Sequence, residues 1–115
     1  MVRFRDKCTR LRAAPSTGPD GAPVPGDWQK TPEDQLLKLD LYCEFQPQSE
    51  LEDVVGQQRT ESTRSVWFYS DADVLSTDGL RYQGDDYQVD GKPKPWNPRG
   101  RPHHIEARCF LVQGG

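Results

Sequence analysis

Apolar and polar residues alternate along several stretches of this chain, which is the pattern of strands that bury one face. The clearest stretch is residues 36–45, in which apolar residues occupy every second position. These residues are Leu37, Leu39, Leu41, Cys43 and Phe45. Such a long run at period 2 predicts a strand that is central to the core.

Three further stretches predict strands. Residues 1–14 begin with Val2, Phe4 and Cys8 on one face and basic residues on the other. Residues 65–70 are rich in aromatic and β-branched side chains, and the pattern leaves open which of their two faces is buried. Residues 103–112 should direct their odd-numbered side chains inward, from Ile105 to Leu111.

A tight hairpin is predicted between residues 80 and 89. Gly84-Asp85 forms a two-residue loop with glycine first, which a type II′ turn favours. This loop would place Tyr82 opposite Tyr87. The apolar residues of both strands then share one face, which we expect to pack in the core.

Three connections lack a strand pattern. Residues 15–26 contain four prolines and three glycines, which predict a loop without regular structure. Residues 46–64 are mostly polar and predict a long loop. This loop is either flexible or, in the interpretation that we prefer, becomes ordered in an assembly. Residues 92–98 carry alternating prolines, so they should run extended without donating to a ladder, and Trp96 should anchor them on the core.

Together these patterns predict a single domain over residues 1–115. The hairpin indicates antiparallel pairing, and no convincing helix is present. We therefore expect an all-β fold, a small antiparallel β-barrel or sandwich of the SH3-like kind with a long inserted loop. The hydrophobic content of 33 % is low, so part of the chain should lie outside the core.

The net charge of −3 argues against a general affinity for nucleic acid or anionic membranes. Charge is nevertheless segregated along the chain. The charged residues within 2–12 and 92–108 are mostly basic, whereas those within 33–53 are mostly acidic. These groups form solvated faces, or they form basic and acidic surfaces that meet between neighbouring copies.

The three cysteines, Cys8, Cys43 and Cys109, lack a CxxC spacing and occupy apolar strand positions. The basic N-terminus is not followed by an apolar segment of the kind found in signal peptides, and no apolar run approaches the length of a membrane span. We therefore expect a protein made in the cytoplasm, with reduced and inert thiols and no membrane contact.

No side-chain pattern predicts catalysis, a metal or a cofactor. His103 and His104 are adjacent on a predicted strand and should point to opposite faces, so we expect a solvated pair that shares no metal. Paired aspartates at positions 71 and 73 and at positions 85 and 86 fit turns. We expect no enzymatic activity.

Aromatic residues on the predicted sheet raise the alternative of nucleic-acid binding, because Trp67, Tyr69 and Tyr82 could stack on bases. Aspartates that lie close in the sequence would repel phosphates, which argues against specific binding. These aspartates are Asp71, Asp73, Asp78, Asp85 and Asp86.

Residues 65–112 contain a characteristic order of short segments. They are Ser65-Val-Trp-Phe-Tyr, Asp78-Gly-Leu-Arg-Tyr, Gln83-Gly84, Tyr87-Gln-Val-Asp-Gly, a Pro/Trp/Asn crossing and His-His-Ile-Glu. This order resembles that of the head-to-tail stopper proteins of long-tailed bacteriophages, also called head-closure or neck proteins. The preceding order of strand, Pro/Gly loop, long strand and long insertion is similar to theirs as well.

The resemblance implies a structural virion protein of the phage neck, assembled in the host cytoplasm. Copies would form a ring, twelve- or six-fold, beneath the portal and adaptor, retain packaged DNA and offer the tail terminator protein a docking surface. Genomic DNA would pass through the channel without specific binding. Alternatives are another neck or tail-completion component, or a cytoplasmic β-barrel that binds protein or nucleic acid.

The resemblance also assigns two sets of site residues. Residues 46–64 would be the loop that points into the channel. Its predicted channel residues are Glu50, Leu51, Glu52, Asp53, Val54, Val55, Gln57, Gln58, Arg59 and Glu61. The predicted subunit-interface residues are Arg3, Arg5, Lys7, Arg99, Arg101 and Phe110.

Overall fold

Six antiparallel strands form a closed barrel in a computed structural model of the chain, which describes residues 3–46 and 63–113. The barrel strands are β1 (Asp6–Arg12), β4 (Leu37–Phe45), β5 (Thr63–Tyr69), β6 (Gly79–Tyr82), β7 (Asp85–Trp96) and β8 (His104–Gln113). Their order around the barrel is β1-β4-β5-β8-β7-β6. Helical backbone in the described residues is limited to single 3-10 turns. The expected all-β fold is confirmed, and closure makes it a barrel.

Alternate side chains of these strands fill the barrel interior. Val66 and Phe68 are fully buried, so the even-numbered face of β5 is the inner one. In β8, Ala107 and Cys109 are buried as predicted. Burial raises the pKa of the Cys109 thiol to about 12, which keeps it protonated at neutral pH.

β4 enters the core only at its C-terminal end. Cys43 is buried, but Leu37 and Leu39 are 47 % and 43 % exposed. β5 pairs with β4 at residues 43–45, whereas β1 pairs with residues 37–43. The expectation that the whole strand is central to the core is therefore wrong. Alternation predicts which residues of β4 share a face, but it does not predict how far along β4 the neighbouring strand β5 extends. We call residues 37–42 the β4 overhang.

The hairpin between β6 and β7 turns one residue earlier than predicted. Its loop is Gln83-Gly84, and φ is positive at both residues, 51° and 85°, as a type I′ turn requires. Tyr87 consequently pairs with Leu80 and not with Tyr82. The predicted register is wrong by two positions, but a shift of two leaves every side chain on its face, so Leu80 and Tyr87 are still buried.

β7 continues to Trp96 and is longer than predicted. Residues 92–96 run extended, as predicted, but residues 94–96 also pair with β8 beyond a register shift between Asp90 and Lys94, so the expectation that the crossing stays outside the ladder is wrong. Prolines are tolerated here because β6 pairs only with residues 85–88, which leaves one side of the later residues without a neighbour in the described chain. Trp96 is 48 % exposed and does not anchor this segment in the core. We call residues 90–96 the β7 overhang.

The Pro/Gly segment 15–26 contains more order than its composition predicts. β2 (Ser16–Thr17) and β3 (Pro23–Val24) form a minimal antiparallel pair. Trp28 follows this pair and covers Gly79 of β6, where any Cβ would collide with the indole ring. The indole N–H of Trp28 donates to Gln88 Oε1 at 2.8 Å, which fixes the segment to β7.

Candidate functional site

The two ends of the predicted channel loop are held together at one end of the barrel. The N–H of Gln46 donates to the carbonyl of Ser65 at 2.8 Å. The guanidinium of Arg64 donates to the carbonyl of Gln46 from Nη2 and Nε, at 2.9 and 3.1 Å. This bidentate contact joins the first residue after β4 to the second residue of β5.

Two stacked rings support this clamp. The rings of Phe45 and Tyr82 are nearly parallel, with centroids 3.9 Å apart. Arg64 Cζ lies 5.2 Å from the Phe45 centroid and 5.8 Å from that of Tyr82, within cation–π range. Burial, and then the carboxylate of Asp6, raise the pKa of Tyr82, so its phenol is neutral at physiological pH. The base of the loop is thus packed and hydrogen-bonded.

The predicted channel residues themselves, from Glu50 to Glu61, lie outside the described residues. What the structure describes is the pair of strands that carry them. β4 and β5 are the second and third barrel strands in chain order, and both loop ends leave the barrel side by side.

The predicted interface residues do not form one surface. Arg3, Arg5 and Lys7 are exposed in or just before β1, whereas Arg99 and Arg101 are exposed in the connection between β7 and β8. Around the barrel β1 is two places from β7 and three from β8, so neither of the strands that flank Arg99 and Arg101 is next to β1. The sixth predicted residue, Phe110, is half-buried in β8.

The opposite end of the barrel is closed by ion pairs that the sequence reasoning missed. Asp78 is fully buried and accepts hydrogen bonds from Arg12 Nε and Nη2, both at 2.8 Å, and from the N–H of Leu75 at 2.7 Å. Arg12 Nη1 also donates to Asp73 at 3.1 Å. The hydrogen bond to Asp78 is the main cause that raises the pKa of Arg12, and the bond to Asp73 raises it further. The same bond from Arg12 lowers the pKa of Asp73.

Arg10 completes this cluster and is itself 9 % exposed. Its Nη1 donates to the backbone carbonyl of Asp73 at 3.0 Å. The interpretation of these charges as solvated faces is therefore wrong for the end of β1. A signal was present in the sequence, because Arg10 and Arg12 fall on the same face of the strand as the buried Cys8.

An aromatic stack crosses the outer surface of three adjacent strands. His104 of β8 lies 4.3 Å from the Trp67 ring of β5 and 5.3 Å from the Trp96 ring of β7, and it is 2 % exposed. Its Nε2 lies 3.2 Å from a carboxylate oxygen of Glu106, and its Nδ1 lies 2.6 Å from Nδ1 of His103. The expected solvated pair is wrong, because His103 precedes β8 and strand alternation does not separate the two rings.

Arg81 and two carboxylates line a shallow pocket of about 200 Å³ beside Trp28. Arg81 donates to Asp86 from Nε at 2.7 Å and to Glu33 from Nη1 at 2.8 Å, while Nη2 reaches both. Its three nitrogens are thus already bonded to carboxylates, so none of the described residues that line the pocket offers a free cation to an anionic ligand. Asp86 lies in β7 and is not a turn residue as predicted.

The described residues include no group of three or more His, Cys, Asp or Glu side chains placed to hold a metal ion. No helix among them is long and apolar enough to cross a membrane. A scan against protein-family models and a search of curated proteins both find no match for this chain. Two features of the described residues, the clamped loop base and the exposed charged and apolar surfaces, suit contacts with macromolecules.

Proposed function

We propose that this chain is a head-to-tail stopper of a bacteriophage neck, a structural protein that forms a ring beneath the portal and adaptor. The observation that supports this proposal best is the packed and hydrogen-bonded base of the segment 47–62. A closed barrel carries that segment between its second and third strands. Arg64 of β5 donates two hydrogen bonds to the carbonyl of Gln46 after β4, which joins the two ends of the segment. A loop that obstructs a channel needs such a base, because pressure on the loop would otherwise separate the strands.

The charges of the segment suit contact with DNA that must later leave. Glu50, Glu52, Asp53 and Glu61 outnumber its single cation, Arg59. Cations in a channel would bind phosphates with a strong, salt-dependent affinity, which would hinder ejection. An acidic loop obstructs the duplex without gripping it. In this proposal the ring retains the DNA because its loops close the channel sterically. The tail terminator docks on the face of the ring that is opposite to the adaptor.

The proposal is tested by deleting residues 51–60 in a phage that carries this chain. The shortened loop leaves Gln46 and Arg64 in place, so the barrel should fold and join the neck. We expect capsids that package DNA but lose it before tails attach, measured as the fraction of full heads in purified particles. Asp20→Ala, in the exposed β2–β3 turn, is the control and should retain DNA normally.

A binding measurement separates the stopper from a monomeric cytoplasmic module. The purified chain should bind a purified portal–adaptor complex and sediment with it as a ring. Normal DNA retention in the deletion phage, or a chain that never binds the portal–adaptor complex, would contradict the proposed function.

A further inference from the structure

The β4 overhang is a strand edge with one neighbour. β1 pairs with each of residues 37–42, and no described strand pairs with them on the other side. In an antiparallel ladder, every second residue directs its N–H and C=O away from a given neighbour. The overhang therefore presents backbone donors and acceptors that another extended strand can bind.

Large apolar side chains accompany this edge. Leu37, Leu39 and Tyr42 are 47 %, 43 % and 53 % exposed. Charged side chains on an exposed strand edge usually prevent it from pairing with another strand. The one cation in the overhang, Lys38, lies beside Glu33 of the same chain, so it does not present an unbalanced positive charge to an approaching strand, and its partly exposed side chain can still face a second carboxylate. Another strand would cover both the backbone edge and the leucines.

The sequence of the overhang is complementary to itself. We propose that residues 37–41 pair with the same segment of a second copy, antiparallel about a two-fold axis at Leu39. This register places Lys38 opposite the second copy's Asp40 twice, and Leu37 opposite the second copy's Leu41 twice. Both kinds of pair are favourable. The Lys38–Asp40 pairs lie on one face of the combined sheet, and the leucine pairs lie on the other.

The contact is isologous, so it closes as a dimer and does not continue into a fibre. It joins two closed barrels through a short two-stranded bridge, with each β4 between its own β1 and the second copy's β4. The pairing is a property of the free chain, and it does not depend on the proposed function in the phage neck.

Charge-reversal variants test this register. Lys38→Asp and Asp40→Lys each place like charges opposite one another at both cross-strand pairs, and each should raise the dimer dissociation constant at least about tenfold. Analytical ultracentrifugation over a range of concentrations measures this. An equimolar mixture of the two variants should dimerise again, because opposite charges then face each other at both pairs.

The mixture is decisive because Lys38→Asp also removes the ion pair with Glu33, and a loss of folding would not be rescued in trans. Lys92→Asp, on the β7 overhang, is the control and should dimerise like the unchanged chain. A monomeric unchanged chain at all concentrations, a dimer insensitive to both reversals, or no rescue in the mixture would overturn the proposal.

Hydrogen exchange of the unchanged chain gives a test that needs no variant. Raising the protein concentration should slow amide exchange in residues 37–41 and leave residues 90–96 unaffected. Exchange that does not depend on concentration in residues 37–41 would also overturn the proposal.

Discussion

The β4 and β7 overhangs have the same architecture and opposite chemistry. Each is the part of a long strand that extends beyond one of its two neighbours in the described chain. The β7 overhang carries Pro93 and Pro95, which donate no backbone hydrogen bond, and lysines at positions 92 and 94. The β4 overhang carries exposed leucines and no proline. Barrel closure thus covers the edge of a strand only as far as the neighbouring strand extends. Where a strand is longer than its neighbour, its side chains determine whether the exposed edge can pair with another strand.

The two overhangs are also supported differently. The β7 overhang packs on β8, where the Trp96 ring contacts His103 and His104. The β4 overhang lies on β1, and the last residue of β1, Arg12, is fixed by the buried carboxylate of Asp78.

The largest effect is expected from Asp78→Ala. It leaves Arg12 without its buried partner and removes the acceptor of the Leu75 N–H, so the free energy of unfolding should fall by about 3 kcal/mol. Urea denaturation measures this loss. Hydrogen exchange should also accelerate more in residues 37–42 than in residues 90–96. Asp71→Ala, at an exposed position, should change stability by less than about 0.5 kcal/mol. Equal stabilities of the two variants would contradict this role of the cluster.

An intermediate effect is expected when the β7 edge is unblocked. The double substitution Pro93→Thr and Pro95→Thr restores two N–H groups and raises strand propensity on an exposed edge. Association of the chain, followed by light scattering, should begin at a concentration about tenfold lower than for the unchanged protein. Pro25→Thr, next to β3, is the matched control. If the double variant associates no more readily than the control, the prolines do not protect this edge.

The smallest effect concerns the ion pairs that connect the β4 overhang to β6. Hydrogen bonds from Arg81, and then from Lys38, lower the pKa of Glu33 to about 2 from its usual value of 4.5. A lowered pKa means that the folded state favours the carboxylate. Its contribution to stability is present above pH 4.5 and is lost as pH falls towards 2.

Glu33→Gln should therefore flatten the dependence of the melting temperature on pH between about 4.5 and 2. Because the Glu33 side chain is 56 % exposed, the difference should be small and should shrink further in high salt. Asp34→Asn, at the neighbouring exposed position, is the control and should keep the profile of the unchanged chain. Identical profiles for both variants would show that this carboxylate does not contribute.

The predictable part of the fold follows from residue spacing. The period-2 pattern identified the strands, and it grouped Leu80 with Tyr87 correctly even though their register was wrong, since both registers have the same parity. The turn was less predictable, because Gln83-Gly84 and Gly84-Asp85 both suit a two-residue loop. Of the candidate site, the sequence indicated the loop between β4 and β5 and its acidic composition. The clamp by Arg64 was not visible, because it depends on two residues separated by the whole loop.

The sequence by itself determined which side chains share a strand face, because that face depends on local backbone geometry. Only the tertiary structure decided what each face meets. It left Leu39 in solvent, where β5 does not reach, and it buried Arg10 on the same inner side, where the segment after β5 supplies carboxylates. It likewise enclosed His104 between two tryptophans from other strands. Burial depends on neighbours that are distant in sequence, and periodicity within one strand contains no information about them.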